Sequence, residues 1–588
     1  MSRTIESTSI LQDLLRRVTG GEEYARLLGE LRSGARVISV GGLTAGPARA
    51  LALAALQRET GRCFAVLMQA NRDLEAWERD VRFWYCALRG VSDCEQTVLA
   101  LPSSEGDPYA GASPHAETLE QRALTLWRLA GGPQDFVLLT ARALVRRTVP
   151  PEAVARAGAR LRREQDHAPE ELVEKLLASG YVREDPVGAV GEFSMRGGIM
   201  DVWSPGMAAP VRIEFFGDTV DSIREFDPET QLSTTQLKET EIAPMRELTV
   251  TAEDFREWAA RARERWSDER YERALRDRLE FAGEGETFPG WEWLISLVQE
   301  RKASAFDYLR DAVLVVDEPV GIETYLAHVY ETLGARYLET ESADDLGLRP
   351  EELYLTPEEL RERLGGMRRL ELRTLGRAAA LVDEGLALDA EQPDINIGRA
   401  RTTAGQPLFL FPAVEAAAET EWRSQSVRRY HGRLPELASD VRRARDERSA
   451  ATLFVMHSLG LAERLGEILS DYDVAARVAL GGERGGAALG TEAGAVVVTV
   501  GRLSGGFELP GSGLVVHVES DLFDEVSETA PARRAVPTTG TTARRRKSKT
   551  AAFLSDFRDL KVGDYVVHVD HGIARFGGLQ TLDLGPNR

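Results

Sequence analysis

Short apolar runs alternate with amphipathic stretches in the first quarter of the chain. The runs have the length of buried strands, and they lie at residues 37–40, 63–68, 98–101 and 136–140. The stretches between them are long enough to form helices that cover a sheet. Because alternating strands and helices are typical of a parallel sheet, the pattern predicts an α/β domain over residues 1–150.

The periodicity changes after this region. A helical stretch at residues 169–179 is followed by segments in which apolar and polar residues alternate, at 191–203, 211–216 and 220–226. The dipeptide Gly217-Asp218 between the last two segments is typical of a hairpin turn. The pattern predicts an antiparallel meander within residues 151–238.

Two further α/β regions and two smaller segments follow. Residues 239–375 combine charged helices with one apolar strand, and residues 376–522 again alternate strands with helices. Residues 523–552 are rich in Pro, Thr, Ser and Ala and carry basic runs, which predicts a flexible linker. Residues 553–588 alternate apolar and polar positions around glycine turns, as expected for the first strands of a small β barrel. The predicted fold class is therefore α/β multidomain.

Composition favours protein partners. The 588 residues exceed what one core can hold, and the formal charge of −21 makes the chain as a whole repel nucleic acid, so DNA contact is expected to be weak or none. The three cysteines lack the spacing of a metal site. The sequence shows no leader and no apolar run of bilayer length, so we expect a cytoplasmic protein without membrane contact, metal or cofactor.

The segment from Gly41 to Ala48 has the outline of a phosphate-binding loop between a predicted strand and a predicted helix. Gly41 and Gly46 occupy the two glycine positions of G-x-x-x-x-G-K-[ST]. Pro47 stands where a lysine would neutralise phosphate, and Ala48 stands where a hydroxyl group would hold Mg²⁺. The spacing therefore predicts a degenerate nucleotide loop that has kept its backbone geometry and lost its chemistry.

A second predicted strand ends in two carboxylates. Asp317 and Glu318 follow four apolar residues, as in the strand that holds metal and water in nucleotide-binding folds. Alone, this pattern is more typical of a core strand that ends in an acidic turn. Together with the altered loop, it indicates a nucleotide-binding fold that no longer hydrolyses nucleotide and has no catalytic residue.

The meander carries a resemblance to a known family. Arg196-Gly197 with Asp201, and the segments 213–218 and 223–228, resemble the second domain of the excision-repair helicase UvrB and of its relatives, the transcription-repair coupling factors. The resemblance implies a degenerate RecA-like, P-loop parallel sheet into which the meander is inserted. It also implies that residues 239–375 complete this UvrB-like module.

In that family the meander binds UvrA, and the resemblance implies the same use here. Arg183 and Arg196 match basic positions that face an acidic UvrA surface, and Phe193 and Trp203 are assigned to the same surface. Ser194 occupies a third basic position, so one ionic contact is expected to be missing. Without the resemblance, both arginines would be interpreted as solvated strand residues.

Two other segments resemble parts of these proteins. Residues 101–114 are short and hold one tyrosine where UvrB carries an aromatic hairpin that probes damaged DNA, so this segment resembles a coupling factor. Residues 503–510 resemble the motif that precedes the arginine finger of a second helicase lobe, but no such arginine follows. Neither damage probing nor ATP hydrolysis is therefore expected of this chain.

Residues 560–578 resemble the RNA polymerase interacting domain that coupling factors share with CarD-type regulators, a Tudor-like barrel. In that family an edge strand of the barrel pairs with the RNA polymerase β subunit, which implies the same partner here. Too few strands follow to close a barrel, so an incomplete module is expected. Family members continue into an ATP-dependent DNA translocase that displaces stalled polymerase.

The sequence thus predicts a scaffold portion of a transcription-repair coupling factor, which recruits UvrA to stalled RNA polymerase in nucleotide excision repair. Two alternatives stay open. One is a UvrB-like DNA-dependent ATPase, which Pro47 and Ala48 oppose. The other is a CarD-like transcription regulator, which the segment 196–228 opposes.

Overall fold

The computed structural model describes residues 10–374, 408, 410–411, 417–479, 494–523, 565–568 and 572–575. The predicted linker at 523–552 lies outside these residues apart from its first position, and so does most of the predicted barrel segment. Within the described ranges, no helix has both the length and the apolar character needed to cross a membrane.

The strands are named in chain order. They are β1 (Val37–Gly41), β2 (Phe64–Met68), β3 (Val98–Leu101), β4 (Phe136–Thr140), β5 (Ala159–Arg162), β6 (Val182–Arg183), β7 (Glu192–Arg196), β8 (Ile199–Val202), β9 (Val211–Phe216), β10 (Thr219–Phe226), β11 (Ser233–Leu237), β12 (Glu239–Ile242), β13 (Val313–Asp317), β14 (Arg369–Arg373), β15 (Ala417–Glu421), β16 (Gln425–Ser426), β17 (Ala451–Met456), β18 (Arg477–Ala479), β19 (Val496–Val500), β20 (Phe507–Leu509), β21 (Leu514–Val518), β22 (Tyr565–His568) and β23 (Gly572–Arg575).

The helices are named in the same way. They are α1 (Ile10–Thr19), α2 (Glu22–Ser33), α3 (Gly46–Thr60), α4 (Asn71–Arg89), α5 (Ala116–Ala130), α6 (Ala141–Val145), α7 (Pro151–Ala157), α8 (Pro169–Ala178), α9 (Ala252–Arg265), α10 (Glu272–Glu284), α11 (Trp291–Leu294), α12 (Ala305–Tyr308), α13 (Pro319–Ser342), α14 (Pro350–Leu353), α15 (Pro357–Gly366), α16 (Leu434–Arg448), α17 (Leu459–Asp471) and α18 (Glu519–Leu522). Short 3-10 turns cover Glu269–Tyr271, Ile295–Leu297 and Pro510–Ser512.

A seven-stranded parallel sheet forms the first unit, in the order β15-β1-β14-β13-β2-β4-β3. Strands β2 and β4 are buried at every position because helices cover both faces of the sheet. The predicted strands at 37–40, 63–68, 98–101 and 136–140 correspond to β1 to β4.

The chain returns to the first sheet at β15, which pairs in parallel with β1 at the sheet edge. This strand lies inside the range 376–522 that the sequence predicts for a separate small α/β domain. The physical reason for the difference is an open edge: β1 has unpaired backbone groups on the side away from β14, and β15 satisfies them. The first unit therefore includes a strand from beyond residue 376.

A six-stranded sheet is inserted between β4 and β13, in the order β11-β10-β9-β8-β7-β6. All its pairs are antiparallel except β6 with β7, and β12 forms a separate antiparallel pair with β5. One face of the sheet is packed against α8 through a core that includes Phe193, Met200, Val211, Ile213 and Ile223. We call the opposite face, which carries Arg196, Asp201, Arg212 and Glu214, the outer face.

The second unit is another six-stranded sheet, in the order β16-β20-β21-β17-β19-β18. Residues on one face of this sheet join the core of the first unit, and the Trp84 and Phe507 rings meet edge to face with centroids 6.1 Å apart. Strands β22 and β23 form an antiparallel hairpin. The parallel sheet of the first unit and the mixed sheet of the second unit are thus packed together, whereas the outer face points away from the core of its own sheet.

Candidate functional site

The glycine loop connects β1 to α3. Gly42 has a φ of 89°, and a Cβ at this position would lie 2.9 Å from the carbonyl oxygen of Trp422, so glycine permits the close approach. Pro47 lies in the first turn of α3, where its missing N–H removes no helical hydrogen bond, and Ala48 is packed in the core. The backbone therefore follows the strand–loop–helix path that the sequence predicts.

The hydroxyl of Ser424 is hydrogen-bonded to two backbone amide groups of this loop. Its Oγ accepts hydrogen bonds from the backbone N–H groups of Thr44 at 2.8 Å and Ala45 at 3.3 Å. The same hydroxyl lies 3.4 Å from the carbonyl oxygen of Gly42, to which it donates. In a working loop such amides hold phosphate oxygens. Here the donors of Thr44 and Ala45 already have an acceptor supplied by the segment that follows β15.

Arg49 reaches both carboxylates of the β13 end. Its guanidinium donates to Asp317 Oδ1 and, at 2.6 Å, to Glu318 Oε1. It also donates to the carbonyl oxygen of Leu43 at 2.6 Å and to the hydroxyl of Thr374 at 3.0 Å. The structure thus brings the glycine loop and the carboxylates after β13 together. A buried arginine lies beside these carboxylates, in the place that a metal ion would need.

Asp317 has a further donor. The indole N–H of Trp77 lies 2.9 Å from Asp317 Oδ2. Burial raises the pKa of the Asp317 carboxyl, while the Arg49 guanidinium and the indole act in the opposite direction. Sequence reasoning missed Arg49, although a cation within the Ala/Leu-rich stretch at residues 47–56 is a usable signal, because a buried charge requires a partner.

The second unit contacts the helix that follows the first sheet's second strand. Asp80 of α4 is buried and accepts hydrogen bonds from the Ser504 backbone N–H at 2.7 Å and from the Ser504 hydroxyl at 2.6 Å. Burial raises the pKa of Asp80 to about 6, and the Ser504 hydrogen bonds oppose that shift. Ser504 belongs to the motif at 503–510, so this motif joins the two units.

On the outer face, the buried carboxylate of Asp201 organises two arginines. Arg212 donates to it twice, at 2.7 and 2.8 Å, and Arg196 donates at 3.0 Å. Arg196 also lies 3.3 Å from Asp185, and its side chain is 52% exposed. Sequence reasoning missed Arg212, whose position opposite Asp201 on the next strand follows only from the register.

The other predicted surface residues occupy different environments. Arg183 is exposed, and its guanidinium lies 3.1 Å from the carbonyl oxygen of Met195, next to Arg196. Ser194 is buried on the outer face opposite Asp201. Trp203 is half-buried and donates its indole N–H to the carbonyl oxygen of Met207 at 3.1 Å.

Phe193 differs from the surface position that the sequence analysis assigns to it. Its side chain has 0% exposure and belongs to the core beneath the sheet. The reason is the period of a strand: Phe193 and Arg196 are three positions apart on β7, so their side chains point to opposite faces. Phe193 therefore supports the sheet from below.

Among the residues that the structure describes, the His, Cys, Asp and Glu side chains do not form any group of three or more that could hold a metal ion. The three cysteines are free thiols.

Two family models match the chain. A model of the UvrB interaction domain matches residues 159–248, which contain the inserted sheet and its outer face. A model of the CarD-like/TRCF RID domain matches residues 560–587, which contain the hairpin of β22 and β23.

Curated relatives match over most of the chain. A transcription-repair-coupling factor of Myxococcus xanthus is 31% identical over 582 residues, covering 96% of this chain and 44% of that protein. Those of Bacillus subtilis and Staphylococcus aureus are 27% and 26% identical over 83% and 80% of this chain, and 38% and 36% of their own lengths. The chain thus spans less than half the length of these relatives. Together, the two domain matches and the relatives place the chain in the transcription-repair-coupling factor family, where it corresponds to an N-terminal portion.

Proposed function

We propose that this chain is a scaffold for transcription-coupled nucleotide excision repair, and that the outer face of the inserted sheet binds UvrA. The observation that carries the proposal is the pair of neighbouring arginines, Arg183 and Arg196, within the segment that matches a UvrB interaction domain. Arg183 has no carboxylate partner within the described residues, and Arg196 is half-exposed. Exposed guanidinium groups of this kind suit an acidic protein surface.

The test is a calorimetric titration of the chain with purified UvrA. We expect wild type to bind and the double variant Arg183→Glu, Arg196→Glu to lose at least about tenfold in affinity, because each reversal replaces attraction by repulsion. Arg183→Glu alone should weaken binding too. This single variant leaves the contacts of Asp201 with Arg196 and Arg212 in place.

The matched control is the double variant Arg256→Glu, Arg263→Glu on α9. It makes the same change in charge at two exposed positions outside the inserted sheet. Equal weakening by both double variants would reduce the effect to net charge and contradict a specific site. Absence of any binding by wild type would contradict the proposal altogether.

We further propose that the degenerate loop of the RecA-like first unit does not bind or hydrolyse ATP. The occupied amides of Thr44 and Ala45 and the pairing of Arg49 with Asp317 support this. A titration with Mg²⁺ and ATP should release no binding heat, and Pro47→Lys with Ala48→Thr should not restore binding, because Ser424 and Arg49 would still fill the site. Binding with turnover in wild type would favour a UvrB-like ATPase.

The third part of the proposal concerns RNA polymerase. The segment 553–588 is proposed to begin a CarD-like barrel whose edge strand contacts the polymerase β subunit, supported by the match at 560–587 and the hairpin of β22 and β23. A pull-down with the isolated β-subunit lobe tests it. Polymerase binding without UvrA binding would favour the alternative of a CarD-like regulator.

The finer domain assignment belongs to the same proposal. Residues 1–150 and 239–375 would form the two parts of a UvrB-like module around the inserted domain at 151–238, and 376–522, apart from β15 in the first sheet, would form a degenerate lobe-like unit. The shared first sheet of β1 to β4 with β13 and β14 supports the pairing of the first two ranges. DNA translocation and displacement of polymerase are proposed only for a full-length family protein.

A further inference from the structure

We infer that Phe216 is an apolar anchor for UvrA at the tip of the β9–β10 hairpin. The inference rests on the proposed function and adds to the arginines a residue that neither the sequence analysis nor the family match singles out. Phe216 is 84% exposed, which is the highest value among the large apolar side chains that the structure describes.

The position of Phe216 places it on the outer face. Along β9, Val211 and Ile213 point into the core, whereas Arg212 and Glu214 point outward, so the alternation puts Phe216 with the outward set. Glu214 pairs in register with Ile199, which in turn pairs with Arg196. Phe216 is two residues beyond Glu214, about 7 Å along the strand. It therefore extends the same surface that carries Arg196.

The hairpin tip is held in place by the segment before α8. The N–H of His167 donates to the carbonyl oxygen of Asp218 at 2.7 Å, and the Thr219 hydroxyl donates to Asp166 at 2.7 Å. Val220 donates its N–H to the carbonyl oxygen of Gln165 at 2.9 Å. These contacts fix the backbone after the Gly217 turn, and the Phe215 N–H, which donates to the carbonyl oxygen of Gly198 at 2.7 Å, fixes the backbone before it. An exposed phenylalanine on a fixed turn loses little conformational freedom when it binds.

The combination of side chains defines the partner surface. Ile199 is partly exposed and lies between Arg196 and Glu214 in the strand register, with Phe216 two positions further along β9. The outer face therefore presents an arginine, an aliphatic residue and an aromatic residue close together. Interfaces concentrate their binding energy in such aromatic and arginine anchors. The matching surface on UvrA is an apolar pocket bordered by carboxylates. The carboxylates would face the arginines, and the pocket would receive the ring of Phe216.

The experiment compares Phe216→Ser with Leu232→Ser in titrations with UvrA at low and high salt. Leu232 is 68% exposed in the same domain and follows the far end of β10, about 24 Å of strand away from the hairpin tip. Both changes remove an exposed apolar side chain, so neither should alter the thermal midpoint of unfolding. Phe216→Tyr, which keeps the ring, serves as the conservative variant.

We expect Phe216→Ser to weaken UvrA binding by about 30-fold, Phe216→Tyr by much less and Leu232→Ser not at all. The loss should be equal at both salt concentrations, because apolar burial is not screened, whereas the loss in Arg183→Glu should shrink with salt. If wild type binds UvrA and Phe216→Ser binds with an affinity within twofold of wild type, Phe216 is not an anchor, and the UvrA proposal still stands. No binding by wild type would overturn both, and the wild-type curve alone distinguishes that case.

Discussion

The glycine loop and the β6 edge of the inserted sheet hold arginines in opposite settings. At the loop, Arg49, Asp317 and Ser424 come from distant parts of the chain and satisfy one another. On the edge strand β6, Arg183 lies exposed next to Arg196, without a carboxylate partner within the described residues. The comparison teaches that a motif does not by itself make a binding site. Groups that are already paired internally stabilise the fold, and exposed groups with spare donors are available to another protein.

The largest effect is expected from removing the cation at the loop. Arg49→Ala leaves Asp317 and Glu318 without their ionic partner, and the free energy of unfolding should fall by about 3–5 kcal/mol in urea denaturation. Arg58→Ala at an exposed position of α3 is the control and should change stability by about 0.5 kcal/mol or less. Equal effects of the two substitutions would remove the contrast between paired and exposed arginines.

The second expected effect depends on pH and concerns the contact between the two units. Because the pKa of Asp80 is raised to about 6 in the folded chain, the folded state holds this proton more tightly than the unfolded state. Stability from this group is therefore present below about pH 4 and is lost as the pH rises to about 6. The free energy of unfolding of Asp80→Asn, relative to that of wild type, should therefore increase by on the order of 2 kcal/mol as the pH rises from about 4 to about 6. Parallel stability curves would contradict the assignment.

A smaller effect is expected at the loop amides. Ser424→Ala leaves the N–H groups of Thr44 and Ala45 without their acceptor, which should cost about 1–2 kcal/mol of unfolding free energy. Hydrogen exchange should show faster exchange of the Thr44 amide. Ser426→Ala at an exposed position of β16 is the matched control and should leave both measurements unchanged.

The smallest effect is expected at Arg183 on the β6 edge, and it should appear in binding and not in stability. Arg183→Glu should leave the unfolding midpoint unchanged and weaken UvrA binding by about tenfold at low salt, with a smaller loss at high salt. Titrations at two ionic strengths measure both trends. A loss of stability in this variant would mean that Arg183 is a structural residue like Arg49.

Local patterns allowed the elements of the site to be predicted. The loop after β1 and the carboxylates after β13 lie at strand ends, and each is encoded by fewer than ten neighbouring residues. Their pairing through Arg49 could not be predicted, because it depends on which strands are adjacent in the sheet. The order β1-β14-β13 is a property of the fold, and no local pattern encodes it.

The inserted sheet could also be predicted only in part, and one difference between prediction and structure, the burial of Phe193, was avoidable. Strands β9 and β10 follow directly from alternation and the glycine turn. The burial of Phe193 also follows from alternation, since it is three positions from Arg196 on one strand. By contrast, Arg212 meets Asp201 only through the register between strands, and the exposure of Phe216 depends on where the hairpin tip ends.

The return of the chain at β15 has a consequence for synthesis on the ribosome. Thr44 and Ser424 are 380 residues apart, so the outer edge of β1 and the loop amides have no partner until the later segment has been made. At about 5–20 residues per second, this interval lasts about 20 to 75 s. During that time the outer edge of β1 is unpaired and could pair with another chain, until β15 covers it.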